Sequence, residues 1–206
     1  MKQFFNHVRL LAIFVLVAAG IGCASMPPPN FTPSSVGIIK QKAPANLKAI
    51  SVAIAQPNEQ VGKKVALGQQ AFVAPAWADV PGFWKNALEN ALIRANAFDS
   101  TSPKQVSILV KVLEFWQPDW SKEAPNTATA QYEIVDTANG AILFTSVITT
   151  VGKIQVPIGS SPGDPSVSPM ESLNRSVQMN IIQFIQQLEG ADLSRTVIPG
   201  RKTSGL

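Results

Sequence analysis

The sequence predicts an α+β fold: a mainly antiparallel sheet with two helices packed on one face, preceded by a signal peptide and a proline-rich tether. Three observations lead there. Two segments, starting near Asp79 and Pro169, repeat apolar side chains at spacings of three and four, the period of a one-sided helix. Four others carry the β-branched, alternating pattern of strands. Asn139-Gly140 lies between two of these and marks a hairpin, because both residues tolerate positive φ. No internal repeat is visible.

The elements follow in chain order. Val36 to Ile39 is a short apolar run, and Ile50, Val52 and Ile54 alternate as a strand. Gln56 to Ala78 reads as a long loop with an extended piece around Ala71 to Val73. Asp79 caps the first helix and Pro81 occupies its first turn, where a missing N–H is harmless. Trp84, Leu88, Ala91, Leu92 and Ala95 form its buried stripe, and Asp99 to Pro103 follows it as a break. Gln105 to Trp116 is a strand whose two faces are both largely apolar, so it is expected to be central and covered on much of both faces. Thr127 to Asp136 and Ala141 to Val151 make the hairpin. Lys153 to Pro169, rich in proline, glycine and serine, is a long loop in which Ile154, Val156 and Ile158 alternate with polar residues. The last helix runs from Pro169 to Glu189 with Leu173, Val177, Ile181, Ile185 and Leu188 inward, and Gly190 stops it.

The N-terminus reads as an export signal. Lys2 and Arg9 form a positive flank before the uncharged run Leu10 to Gly22, too short for a span of about 20 apolar residues before Ser25 and Pro27 intervene. Gly20-Ile-Gly-Cys23 resembles the lipobox of bacterial lipoproteins, with Gly20 where that motif usually has leucine. The resemblance implies cleavage after residue 22, acylation of Cys23 (palmitate among its acyl chains), and, with Ala24 rather than aspartate next, sorting to the outer membrane on its periplasmic side. Domain organisation is then 1–22 signal peptide, 23–35 lipidated cysteine and disordered tether, 36–190 periplasmic α+β domain, and 191–206 flexible tail. Lys2 and Arg9 are two of 17 basic residues, so cleavage leaves 15 against 13 acidic ones. That near-neutral balance, without a basic stripe, points away from nucleic acid.

Absences limit the chemistry. His7 is the only histidine and Cys23 the only cysteine, so the mature chain has no material for a Ser-His-Asp or Cys-His centre or for a zinc site built on those ligands. No glycine-rich phosphate loop is present, and no cofactor or metal is expected. Asp164 lies in a glycine- and serine-rich stretch that lacks the ligand alternation of a calcium loop. Glu114 with Asp119, and Glu133 with Asp136, are the carboxylates that a hydrolase would have to use. The candidate partner-binding segment is Trp116, Pro118, Asp119 and Trp120, two tryptophans around a proline where a strand should give way to a loop; the alternative has Trp116 continuing the buried face of Val106 to Val112 and Trp120 covering the core edge. Trp84 is assigned to the core and Trp77 is left open.

The helix Phe83 to Leu92, the hairpin Tyr132 to Gly140 and the last helix ending Asn180 to Leu188 resemble small envelope lipoproteins of Gram-negative bacteria. Their order is similar to that of the auxiliary lipoprotein of Mce-type lipid transporters. That resemblance implies a domain docking onto a transport assembly that bridges two membranes. The expectation is a non-enzymatic envelope accessory or binding module, held at the outer membrane by Cys23, with an envelope protein or lipid as partner. The alternative is a carboxylate-dependent periplasmic hydrolase.

Overall fold

Four strands and two helices make up the computed structural model, which describes residues 29–56, 58–59, 61, 79–115, 126–153 and 169–197. Strand β1 (Asn46–Ile54) is followed by helix α1 (Val80–Ala95), then β2 (Gln105–Phe115), β3 (Asn126–Asp136), β4 (Ile142–Gly152) and helix α2 (Pro169–Leu188). The sheet order is β1-β2-β3-β4. The first pair is parallel, with α1 in the crossover, and the remaining pairs are antiparallel. The predicted α+β class and the mostly antiparallel sheet are therefore found.

Caps and turns follow local chemistry. Asp79 accepts from Gly82 N at 2.9 Å, leaving Pro81 within the first turn. Asn96 ends α1 in the left-handed conformation at φ 54°, earlier than the break expected at Asp99. The hairpin has a longer loop than Asn139-Gly140 suggested. Asp136 Oδ1 accepts from Ala138 N at 2.9 Å and Gly140, at φ +72°, returns the chain to β4, so only the glycine adopts positive φ.

Both helices lie on one face of the sheet. Val106, Ile108, Val110 and Val112 point to them from β2, joined by Ala128, Ala130, Tyr132 and Ile134 from β3. An irregularity between Val112 and Glu114 changes the alternation, so Phe115 comes back to the helix side opposite Ala128. The expected cover on both faces of β2 is not found along its length. Leu109, on the opposite face, is 42% exposed because both helices occupy the other side.

The disordered tether assigned to 23–35 is corrected in its second half. Phe31 is 1% exposed and packs edge-on against Phe83, Trp84 and Phe115 at 5.9–6.5 Å between ring centres. Asn30 N donates to Asn174 Oδ1 and its carbonyl accepts from Gln178 on α2, while Arg94 of α1 reaches the Pro33 carbonyl at 2.5 Å. Further on, Ile39 N donates to the Ala95 carbonyl and Lys40 N to Glu189. The segment thus runs alongside both helices before β1 begins. The tail is corrected likewise: Leu193 is 1% exposed, and Val197 N donates to the Ile142 carbonyl at the edge of β4. Apolar side chains in short, otherwise polar stretches decide both cases.

Candidate functional site

Two clusters of polar side chains stand out among the described residues, one inside the domain and one on the open sheet face. The inner one begins with Tyr132, fully buried on β3. Its hydroxyl accepts from Trp84 Nε1 at 3.2 Å and donates to Asn180 Oδ1 at 2.8 Å. Asn180 Nδ2 donates in turn to the Ala128 and Ile148 carbonyls at 3.1 and 2.9 Å. Thr150 Oγ1 donates to the Ser176 carbonyl at 2.6 Å, and Ser172 Oγ to the Gly152 carbonyl at 2.6 Å. Burial pushes the Tyr132 phenol well above its ordinary pKa, with the Trp84 hydrogen bond opposing. Phe184 stacks on the ring at 4.2 Å. These buried groups hold α1 and α2 onto the sheet.

The outer cluster occupies the face away from the helices. Glu114, 8% exposed, accepts from Thr129 Oγ1 at 3.1 Å, and Thr129 lies 3.0 Å from Thr149 Oγ1 across the β3–β4 pair. Gln131 donates to Glu133 at 2.7 Å, and Lys111 pairs with Glu59 at 2.6 Å. That lysine holds the Glu59 carboxyl below its usual pKa, chiefly through its hydrogen bond. Between these polar groups Leu109, Val147 and Val151 are 42%, 59% and 38% exposed. The face therefore offers the Thr149 hydroxyl, charges and scattered apolar side chains, whereas Leu113, Glu114 and Thr129 are buried towards the end of β2.

The chemistry open to this surface follows from its hydroxyls and carboxylates. Thr129 meets a carboxylate, yet a carboxylate is too weak a base to activate an aliphatic hydroxyl unaided. Glu114 is level with Thr129, four residues from Glu133 on β3, which sets the backbone positions of the two acids about 13 Å apart along the strand. Paired carboxyl hydrolysis works at about 5–10 Å. Asp136 is turned into the hairpin loop. No three His, Cys, Asp or Glu side chains gather as a metal site among the described residues.

Of the residues singled out in the sequence, Cys23, Trp77, Trp116, Pro118, Asp119, Trp120 and Asp164 lie outside the described residues, as do Ile154, Val156 and Ile158. Phe115, immediately before the tryptophan segment, is 2% exposed in the core. Trp84 is buried, as its place on the helix stripe predicted. The threonine pair on the open face carried no signal beyond strand propensity. Phe31 had one, a lone aromatic amid prolines.

No protein-family model matches the chain. No curated protein sequence matches it either. Among solved structures, the chain is similar to protein XCC0632 of family DUF330 from Xanthomonas campestris, at 9% identity and a TM-score of 0.53, over 82% of this chain and 96% of that one. It also matches a PelC dodecamer from Paraburkholderia phytofirmans (14% identity, TM-score 0.44, 75% and 93% covered). A lipoprotein candidate from Caulobacter crescentus follows at 11% identity and a TM-score of 0.38, with 68% and 88% covered. The last two likenesses are too low to carry an argument. At 9% identity the first is one of fold alone, and the α+β arrangement of four strands and two helices is the fold that this chain shares with the Xanthomonas protein.

Proposed function

We propose that this chain is a non-enzymatic binding module of the bacterial envelope, anchored by lipid on Cys23 to the outer membrane and facing the periplasm. The observation that carries the binding role is the open sheet face, where exposed Leu109, Val147 and Val151 stand among threonines with both helices on the other side. Leu109, Val147 and Val151 are parted on that face by Gln131, Glu133 and Thr149, so they offer single apolar contacts within a polar surface. The anchor reading rests on the Gly20 to Cys23 motif, and no helix among the described residues is long and apolar enough to cross a membrane. The finer assignment, an accessory lipoprotein of an Mce-type lipid transport assembly, rests on sequence resemblance. Its partner is then an envelope protein or a lipid, contacted through the open face or through Trp116, Pro118, Asp119 and Trp120.

Crosslinking capture from intact envelopes tests this reading. Native protein is compared with Leu109→Glu/Val147→Lys and with Trp116→Ala/Trp120→Ala, each checked for folding by its unfolding midpoint. Loss of one defined envelope complex in either folded variant supports the binding role and assigns its surface. Retention of every complex by both variants removes both surfaces from consideration. Acid-dependent hydrolysis of an envelope substrate that is lost in Glu114→Gln overturns the non-enzymatic reading.

A further inference from the structure

The path of the chain between Cys23 and the core has a geometric consequence for how the domain stands on a membrane. β1, β2 and β4 all finish at one end of the sheet, and β3, α1 and α2 all begin there. Phe31 is fixed at this same end. Its ring meets Phe115, the last residue of β2, and Phe83 and Trp84 in the first turns of α1, while Asn30 is held by Asn174 and Gln178 of α2. The other end carries the Thr137–Gly140 loop, the Asp99 turn and the residues after α2.

Seven peptide steps separate Cys23 from Asn30. Fully extended they reach about 25 Å, and the prolines at 27 to 29 favour a conformation that spans somewhat less. Strands β2, β3 and β4 have 11 residues each, so the sheet is about 35 Å from end to end. A tether starting at Asn30 is thus too short to lie along the domain and bring the far end to the bilayer.

We infer that the end of the domain at which β2 and β4 finish rests against the lipid surface, and that the Thr137–Gly140 end is held away from it. The inference builds on the proposed acylation of Cys23 and adds to it a fixed orientation. The docking of Phe31, with the bonds to Asn30, Pro33 and Ser34, sets that orientation, because release of this whole segment frees the chain up to Ile39 and lengthens the tether by up to about 30 Å. Partners approaching from the periplasm then meet the hairpin loop first and the open sheet face from the side.

The test uses the full chain, processed in cells and purified into phosphatidylethanolamine–phosphatidylglycerol vesicles that carry an energy-transfer acceptor on the headgroups. A donor fluorophore is attached through Lys153→Cys beside the end of β4, or through Ala138→Cys in the hairpin loop, both exposed positions. Acylation leaves Cys23 without a free thiol, so only the introduced cysteine is labelled. Metabolic palmitate labelling reads the anchor separately. With palmitate incorporated, transfer is expected to be several-fold stronger from position 153 than from 138, and Phe31→Ala is expected to shrink that ratio. Equal or reversed transfer with palmitate present overturns the orientation and leaves the anchor standing. Absence of palmitate overturns both.

Discussion

The hydroxyl of Tyr132 donates to Asn180 Oδ1 at 2.8 Å while accepting from Trp84 Nε1 at 3.2 Å, so one buried oxygen joins β3 to both helices. Tyr132 is the only tyrosine of the chain. Replacing it with phenylalanine keeps the ring on Phe184 but leaves a buried acceptor and a buried donor without their partner. Tyr132→Phe is expected to cost about 2–3 kcal/mol in denaturant unfolding, against less than 1 kcal/mol if the bonds were exposed to water.

The same tyrosine sets an alkaline limit. Its folded pKa lies above the value of about 10 in the unfolded chain, because burial disfavours the phenolate. The stabilisation is therefore complete below about pH 10 and is lost as the pH rises beyond it. Tyrosinate absorbance is expected to appear only with unfolding, as one transition shared with loss of circular dichroism. A separate, earlier titration of the phenol would show that water reaches the site.

Asn180 gives a second pH-dependent outcome. Its Nδ2 donates to two strand carbonyls, Ala128 O and Ile148 O. Asn180→Asp preserves the shape and the acceptor for Tyr132 but turns an acidic group towards those carbonyls. Burial raises the folded pKa of the introduced carboxyl above its unfolded value near 4, so the variant is least impaired in acid and loses stability as the pH rises. The expected loss is about 1–2 kcal/mol below pH 4, where one O–H still donates, and about 3 kcal/mol or more at pH 7. Equal loss at both pH values would place the group in contact with solvent.

These side chains also show what the sequence made legible. The stripe that put Trp84 inside is a matter of period, and the Asp79 cap and the stop at Gly190 are matters of local backbone chemistry. Such features are written within a few residues of each other. Tyr132 and Asn180 are 48 residues apart, and neither has a pattern that announces the other. The reach of Phe31 across to Phe115 is similarly a tertiary event, decided by a space between the helices that no local rule describes. The cover expected on much of both faces of β2 is found at Leu113 and Glu114 but not at Leu109, for a related reason. Leu109 has strand propensity wherever it points, and only the placement of both helices on one side leaves it 42% exposed. Of the candidate site, the sequence shows strand-forming threonines. Their pairing at Thr129 and Thr149 depends on register.

Gly152 reports how closely α2 approaches the end of β4. A Cβ built there would stand 1.8 Å from the Ser172 carbonyl oxygen and 2.9 Å from Ser176 N, both backbone atoms. Gly152→Ala must therefore push the first turns of α2 off the strand and strain the Ser172–Gly152 hydrogen bond. The expected cost is about 2–3 kcal/mol or more, with faster amide exchange around Ser172 and Ser176 than around Ile185. An unchanged unfolding midpoint would mean that the helix can shift there at little cost.

Phe31 provides the sharpest separation of local docking from global folding. Its ring is enclosed by Phe83, Trp84 and Phe115, and truncation to alanine removes about 3–4 kcal/mol of packing. The neighbouring bonds from Asn174, Gln178 and Arg94 take backbone atoms of residues 30 to 34, so they keep their partners in the variant and are left to hold the segment without the ring. Phe31→Ala is expected to lower the unfolding midpoint and also to admit proteases between Pro29 and Ile39 under conditions where the sheet stays protected. Cleavage there without any change in the midpoint would show that the segment contributes nothing to the core. A lowered midpoint without local cleavage would show that it leaves only when the whole domain unfolds, with Phe31 as much a part of the fold as Trp84.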